Sequence, residues 1–182
     1  SFGTGLYEFR NNELIRYYHH ENSPIQTRVP GEFAYFYIRL DAGMFDNDGN
    51  YWFINTGSEV KHNIHIIKPS DLAAIENGAN ASWYSMNIHS NGSRVVPITP
   101  GEMFMDMRNA NYKWIPSCRE TTGIILLDDN GTPFKSSDDK CIFRSSFVDQ
   151  NSKVLNPAAI YSMVQDRLGD IWVGTEAGLF II

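Results

Sequence analysis

The chain has 182 residues, 42% of them hydrophobic and 13% aromatic, enough apolar surface to require a buried core and to exclude a disordered segment. A formal net charge of -6 and a pI near 5.3 disfavour nucleic-acid and acidic-membrane binding, which depend on Lys and Arg neutralising phosphates. The sequence holds no run of 18 apolar residues and no basic start followed by an apolar core, so it contributes no membrane span, and any export signal lies outside it.

In chain order, the first element is Phe2-Gly3-Thr4-Gly5-Leu6-Tyr7-Glu8-Phe9, small residues leading into an apolar strand. Aromatic and β-branched residues predict strands over Phe33 to Leu40 and Asn63 to Ile67. Between them Asp46-Asn47-Asp48-Gly49-Asn50-Tyr51-Trp52 reads as a tight reversal. Pro69 to Glu76 starts a short helix that Asn77-Gly78 stops. Asn91-Gly92 and Asn130-Gly131 supply further two-residue hairpin signals, because these residues tolerate positive φ. Ile124-Ile125-Leu126-Leu127 has the length of a buried strand.

The elements repeat. Asp46, Gly49 and Trp52 match Asp166, Gly169 and Trp172, with Asp six and Gly three residues before the Trp in both. A third copy, Arg108-Asn109-Ala110-Asn111-Tyr112-Lys113-Trp114, keeps Trp114 and places Asn111 where the others have Gly, a substitution that a left-handed backbone tolerates. After each Trp come small residues and an apolar strand, as in Gly174-Thr175 and Gly178-Leu179-Phe180. From Gly3 to Gly174 lie 171 residues, or three copies averaging 57, with approximate repeats 3–60, 61–122 and 123–182. A period in this range marks propellers and related arrays. An Asp before the turn can bond backbone N-H groups of the loop, the Gly allows the reversal and the Trp packs between neighbouring sheets. The expected fold is all-β, a propeller segment of about three four-stranded blades; a β-sandwich with coincidental Trp hairpins is the competitor.

The stretch from Ile160 to Leu179, with Asp166, Gly169, Trp172, Gly174, Thr175 and Gly178, resembles the two-component regulator propeller repeat. Phe2 to Phe9 resembles it in part, and the copies around Trp52 and Trp114 do so weakly. The resemblance implies a sector of a larger, seven-bladed propeller, cut at the same phase at both ends and placed in the periplasm or at the cell surface. It also implies a non-catalytic sensing or ligand-binding role, with an oligosaccharide as the expected ligand. The long repeats and the loop from Asp128 to Asp139 are also similar to the propellers of type IX secretion surface proteins, which implies the alternative of a protein-binding scaffold. Three copies do not close a ring, so the partners are the remaining blades or a second copy of the chain in a homodimer.

Candidate chemistry is sparse. His19-His20 and the pair His62 and His65 invite a metal reading, but strand periodicity puts the latter two on opposite faces, and exposed loop and strand histidines account for them. Asp46 to Asn50 resembles a calcium loop whose Gly arrives too early, and Asp138-Asp139 reads as solvated loop. With no Gly-x-Ser-x-Gly and only Arg119 to activate Cys118, no catalytic residue, metal or cofactor is assigned. A bridge between Cys118 and Cys141 stays open. The ligand candidate is Trp83-Tyr84 with Asn87, beside Asn80 and Ser82, because Trp83 stands outside the repeat and aromatic platforms flanked by hydrogen-bonding groups bind such ligands.

Overall fold

A computed structural model describes residues 2–29, 31–56, 62–76, 81–97, 100–118 and 121–182. The chain opens with β1 (Phe2–Gly3), β2 (Leu6–Arg10) and β3 (Glu13–Tyr18), the last two a hairpin closed at Asn11 and Asn12, whose φ values are 52° and 66°. A 3-10 helix, Gly31–Phe36, then leads into the first full meander: β4 (Ile38–Phe45), β5 (Tyr51–Asn55), β6 (Ile64–Ile67) and β7 (Tyr84–Met86). We call this blade 1; β1 adds two residues to its free edge at Ile38 and Arg39. The helix α1 (Pro69–Glu76) sits between β6 and β7, its first turn closed by the Asp71 carboxylate accepting from Lys68 N.

A small hairpin, β8 (Ile88–Ser90) and β9 (Ser93–Val95), connects to blade 2, which consists of β10 (Phe104–Met105), β11 (Tyr112–Ser117), β12 (Gly123–Asp128) and β13 (Lys140–Arg144). A second hairpin, β14 (Phe147–Val148) and β15 (Val154–Leu155), leads to blade 3, with β16 (Ile160–Gln165), β17 (Ile171–Thr175) and β18 (Gly178–Ile181). Two complete meanders are thus flanked by a two-stranded start and a three-stranded end. Repeats 3–60 and 61–122 end at the second strand of a blade, and 123–182 begins at the third strand of blade 2 and runs on through the third strand of blade 3, so the repeats are offset from the sheets.

Side chains alternate across each strand, and in this stack both faces are buried. On β5, Trp52 and Ile54 join the seam between blades 1 and 2, while Phe53 joins the seam between blade 1 and the first hairpin. On β12, Ile125 and Leu127 face blade 1 and Ile124 faces blade 3. That is why Ile124 to Leu127 is continuously apolar. Because successive strands are antiparallel, the connections fall on two faces. Turns 46–50, 106–111 and 166–170 share one face with 68–76, 81–83 and 129–139, and connector residues 19–29, 31–37, 87–97, 100–103 and 145–159 lie on the other.

Three local expectations change. Phe33 to Phe36 is 3-10 helix and the strand begins at Ile38, because this aromatic run connects blades. Asn91 and Gly92 close a two-residue hairpin at φ 51° and 78°, but Asp48-Gly49 belongs to a five-residue turn. Asn130-Gly131, at φ 52° and 70°, opens a long loop rather than a hairpin. Asn77-Gly78, the expected helix stop, lies outside the described residues.

Candidate functional site

One polar unit recurs at the same place in every blade. In blade 1, Asp46 Oδ1 accepts from the backbone N of Asp48 (3.0 Å) and Asn50 (2.9 Å), while Oδ2 accepts from the Trp52 indole at 2.8 Å. In blade 3, Asp166 Oδ1 takes Leu168 N and Asp170 N, and Oδ2 takes the Trp172 indole at 2.9 Å. Short acidic side chains compete well for nearby backbone donors, so the turn needs no strand pairing to hold it. Gly49 and Gly169 supply the left-handed residue, at φ 79° and 86°.

Blade 2 corrects the expected alignment. The acid is Asp106, eight residues before Trp114, and it accepts from Arg108 N, Asn109 N and the Trp114 indole at 2.9 Å. A turn two residues longer moves the Asp out of register, and Asn111 does not take positive φ. Asn111 instead donates its backbone N to Asn109 Oδ1, at 3.1 Å. Asp149 repeats the backbone half of the unit in the β14–β15 hairpin, accepting from Asn151 N and Lys153 N without a Trp.

These units also join blades. Gln165, the last residue of β16, donates to Asp106 Oδ2 (2.9 Å) and to Gly169 O (3.1 Å), and accepts from Met107 N at 2.7 Å. The Arg108 guanidinium lies against Gly169, where a Cβ would collide with it. Burial pushes the Asp106 carboxyl up, but donors from Trp114, Arg108, Asn109 and Gln165 outweigh it and hold the group below its ordinary value. At the other seam Lys113, 2% exposed, pairs with buried Asp129, donates to Ala110 O, and lies 5.0 Å from the Trp52 ring. After Trp172, Thr175 Oγ1 donates to Gly178 O at 2.9 Å, and Gly178 takes φ 126°. Gly174, between them and the Trp, lies against Ser162 Oγ, where a Cβ would not fit.

The residues expected to bind ligand are dispersed. Trp83, 6% exposed, packs edge-on against Tyr18 (5.0 Å) and Phe53 (5.8 Å) in the first seam, so it is core. The Tyr84 hydroxyl accepts from Ser136 N at 2.7 Å, and its ring meets Phe134. Asn87 is half-buried with Oδ1 lacking a donor among the described residues. Asn80 lies outside the described residues.

His65 is fully buried rather than exposed; Nδ1 bonds Ser85 Oγ at 2.8 Å, and burial, then the neighbouring His62, lowers its pKa to about 4. Among the described residues no three His, Cys, Asp or Glu side chains gather as a metal site. Cys118 follows the end of β11 beside Gly123, whereas Cys141 pairs with Leu127 four residues along β12, about 13 Å away at 3.3 Å per residue, so they form no disulfide.

The connector from His19 to Tyr37 shows an exposed aromatic crest that the sequence reading missed. The other two connectors fold as hairpins, but this one presents Phe33 (59% exposed), Phe36 (64%) and Tyr37 (47%). Beside them in sequence Tyr35 meets His20 edge-on (4.5 Å) and His19 at a tilt of 46° (5.2 Å), and its hydroxyl bonds Glu21. The cue was present: four aromatics in five residues, Phe33 to Tyr37, without strict alternation. Their β propensity argued for a strand instead.

Residues 154–177, which span β15 to the turn after β17, match the model of the two component regulator propeller family. The chain carries a two-component regulator propeller repeat. No curated protein matches the chain significantly. Among solved structures it is similar to PorZ of Porphyromonas gingivalis, described as an essential bacterial surface component of the type-IX secretion system. Identity is 27% and the TM-score 0.75, over 100% of this chain and 22% of that one. The chain thus spans about a fifth of that protein's length. The repeat model covers the Asp166–Trp172 unit, and the same hydrogen bonds at Asp46 and Asp106 extend that unit to the two blades whose sequences have diverged.

Proposed function

We propose that the chain is a sector of a non-catalytic propeller scaffold outside the cytoplasm, at the cell surface, that works by docking another protein. The observation that carries this reading is the similarity along the whole chain to a surface component of a secretion system. Two features of the molecule support it. The outer face of blade 3 shows the cross-strand row Val164, Trp172 and Ile181, and the outer face of the first hairpin shows Tyr7 beside Tyr17. Equivalent faces are buried between blades 1 and 2, so these two suit further blades or a second copy. The crest at Phe33, Phe36 and Tyr37 lies on a connector rather than on a blade face, which leaves it for a partner.

Asp46, Asp106 and Asp166 hold turns, which supports a structural rather than a catalytic use of these carboxylates. Oligosaccharide binding is the second reading, favoured by exposed rings beside the hydrogen-bonding Glu21 and His19. The test is deletion of the parent gene in its host, followed by complementation with the parent carrying Phe33→Ser and Phe36→Ser. The docking reading expects secreted proteins to be retained in the deletion strain, and also in the strain complemented with the double variant although that variant reaches the surface. Normal secretion in the deletion strain contradicts it. Glycan-array binding that the double variant abolishes, with secretion normal, selects the second reading.

A further inference from the structure

Residues 129–139 of blade 2 form a strap over the seam with blade 1. Phe134 meets the Tyr84 ring edge-on at 5.9 Å, Lys68 Nζ lies 3.9 Å from the Phe134 centroid, and Ser136 N donates to the Tyr84 hydroxyl at 2.7 Å. Four carboxylates sit on or beside this strap, and three are provided for. Asp128 accepts from Asn130 N; Asp129 pairs with buried Lys113 and accepts from Gly131 N; Asp138 accepts from Thr132 Oγ1 and Lys135 Nζ. Asp139, at the point where the strap enters β13, keeps Oδ1 buried with no donor among the described residues. A buried carboxylate oxygen without a donor is costly as an anion and much less so once protonated.

We propose that the strap is an acid-tightened device, in which protonation of Asp139 seats residues 129–139 on the blade 1–blade 2 seam and its ionisation loosens them. The groups that face Asp139 are Asp129, Asp138, Asp128, Lys113 and Cys141, with Lys135 held by Asp138. Burial first, then the charges of Asp129 and Asp138, push its pKa up to about 6, against a smaller pull from Lys113. Cys141, pushed by burial to about 11, stays a neutral thiol across this range.

The folded pKa lies above the unfolded value, so the folded strap binds the extra proton at Asp139, and the stabilisation from this group is fully present below about pH 4. That stabilisation is lost as pH rises to about 6. His65 works oppositely: its lowered pKa withdraws stability as pH falls from about 6.5 to 4, so global stability alone would mask the strap. The readout therefore has to be local.

The test is hydrogen exchange of the 129–139 peptides at pH 5 and pH 7, corrected for intrinsic rates, in the wild type and in Asp139→Asn. Several-fold greater protection at pH 5 is expected in the wild type, and pH-independent protection in the variant. Equal wild-type protection at both values, or a variant that keeps the pH dependence, overturns the proposal. If calcium restores protection at pH 7, the carboxylates form a cation site and the proposal also fails. Should the variant not fold, the Asp139 carboxyl is titrated by NMR in the wild type: a midpoint near 6 supports the device, and one near the ordinary value of about 3.9 overturns it.

Discussion

Gln165 of blade 3 donates to the Asp106 carboxylate of blade 2 at 2.9 Å, sharing an oxygen with the Trp114 indole. One amide thus couples the turn of one blade to the unit that pins the next. Replacing it with Leu removes three hydrogen bonds, leaves Met107 N and Gly169 O without this partner, and places an apolar group beside a carboxylate. Gln165→Leu is expected to lower unfolding free energy by about 1–3 kcal/mol in denaturant titration. A change below about 0.5 kcal/mol shows that the coupling contributes little.

Gly169 answers to two constraints, a left-handed backbone at φ 86° and the guanidinium of Arg108 against its Cα. Gly169→Ala is expected to cost more than the roughly 1 kcal/mol that the backbone alone explains. The double variant with Arg108→Ala should recover the steric part. Additive effects of the two substitutions mean that the contact is not real.

Trp83 was legible as an odd Trp but not as a core residue. Its packing partners, Tyr18 and Phe53, lie 65 and 30 positions away, so no local pattern reports them. Trp83→Ala is expected to destabilise the fold by about 3–5 kcal/mol, read as a shift in the thermal transition. A folded, equally stable variant would return Trp83 to the list of binding residues.

The repeat itself was legible because Asp, Gly and Trp sit at fixed offsets in blades 1 and 3. Blade 2 was misaligned because a hydrogen-bonding unit conserves its geometry, not its spacing: Asp106 reaches Trp114 across a longer turn. The strand Ile124 to Leu127 was readable from burial on both faces, whereas the crest was read as strand because exposure on a connector leaves no periodic trace. Long insertions, such as residues 68–83 and 129–139, set the period near 57 and hide where each sheet begins.

The acidic units also give a pH dependence with a definite sign. In Asp166 the Trp172 bond is the largest cause and, with backbone donors, holds the carboxyl below its ordinary value; Asp106 is also held low. Folded pKa values below the unfolded ones mean that their stabilisation is present above about pH 4 and is lost as pH falls through the folded values. Asp106→Asn should flatten the acid limb of the wild-type stability curve. An unchanged acid limb contradicts the assignment of Asp106.

The most direct test of the repeated unit is the set of four tryptophan indole N-H signals in a nitrogen-proton NMR spectrum, compared among Asp46→Ala, Asp106→Ala and Asp166→Ala. Each variant is expected to move one signal strongly, those of Trp52, Trp114 and Trp172 in turn, and to leave Trp83 in place. If Asp106→Ala leaves the Trp114 signal where it was, blade 2 does not carry the unit, and the account of three blades built on one hydrogen-bonded turn is wrong.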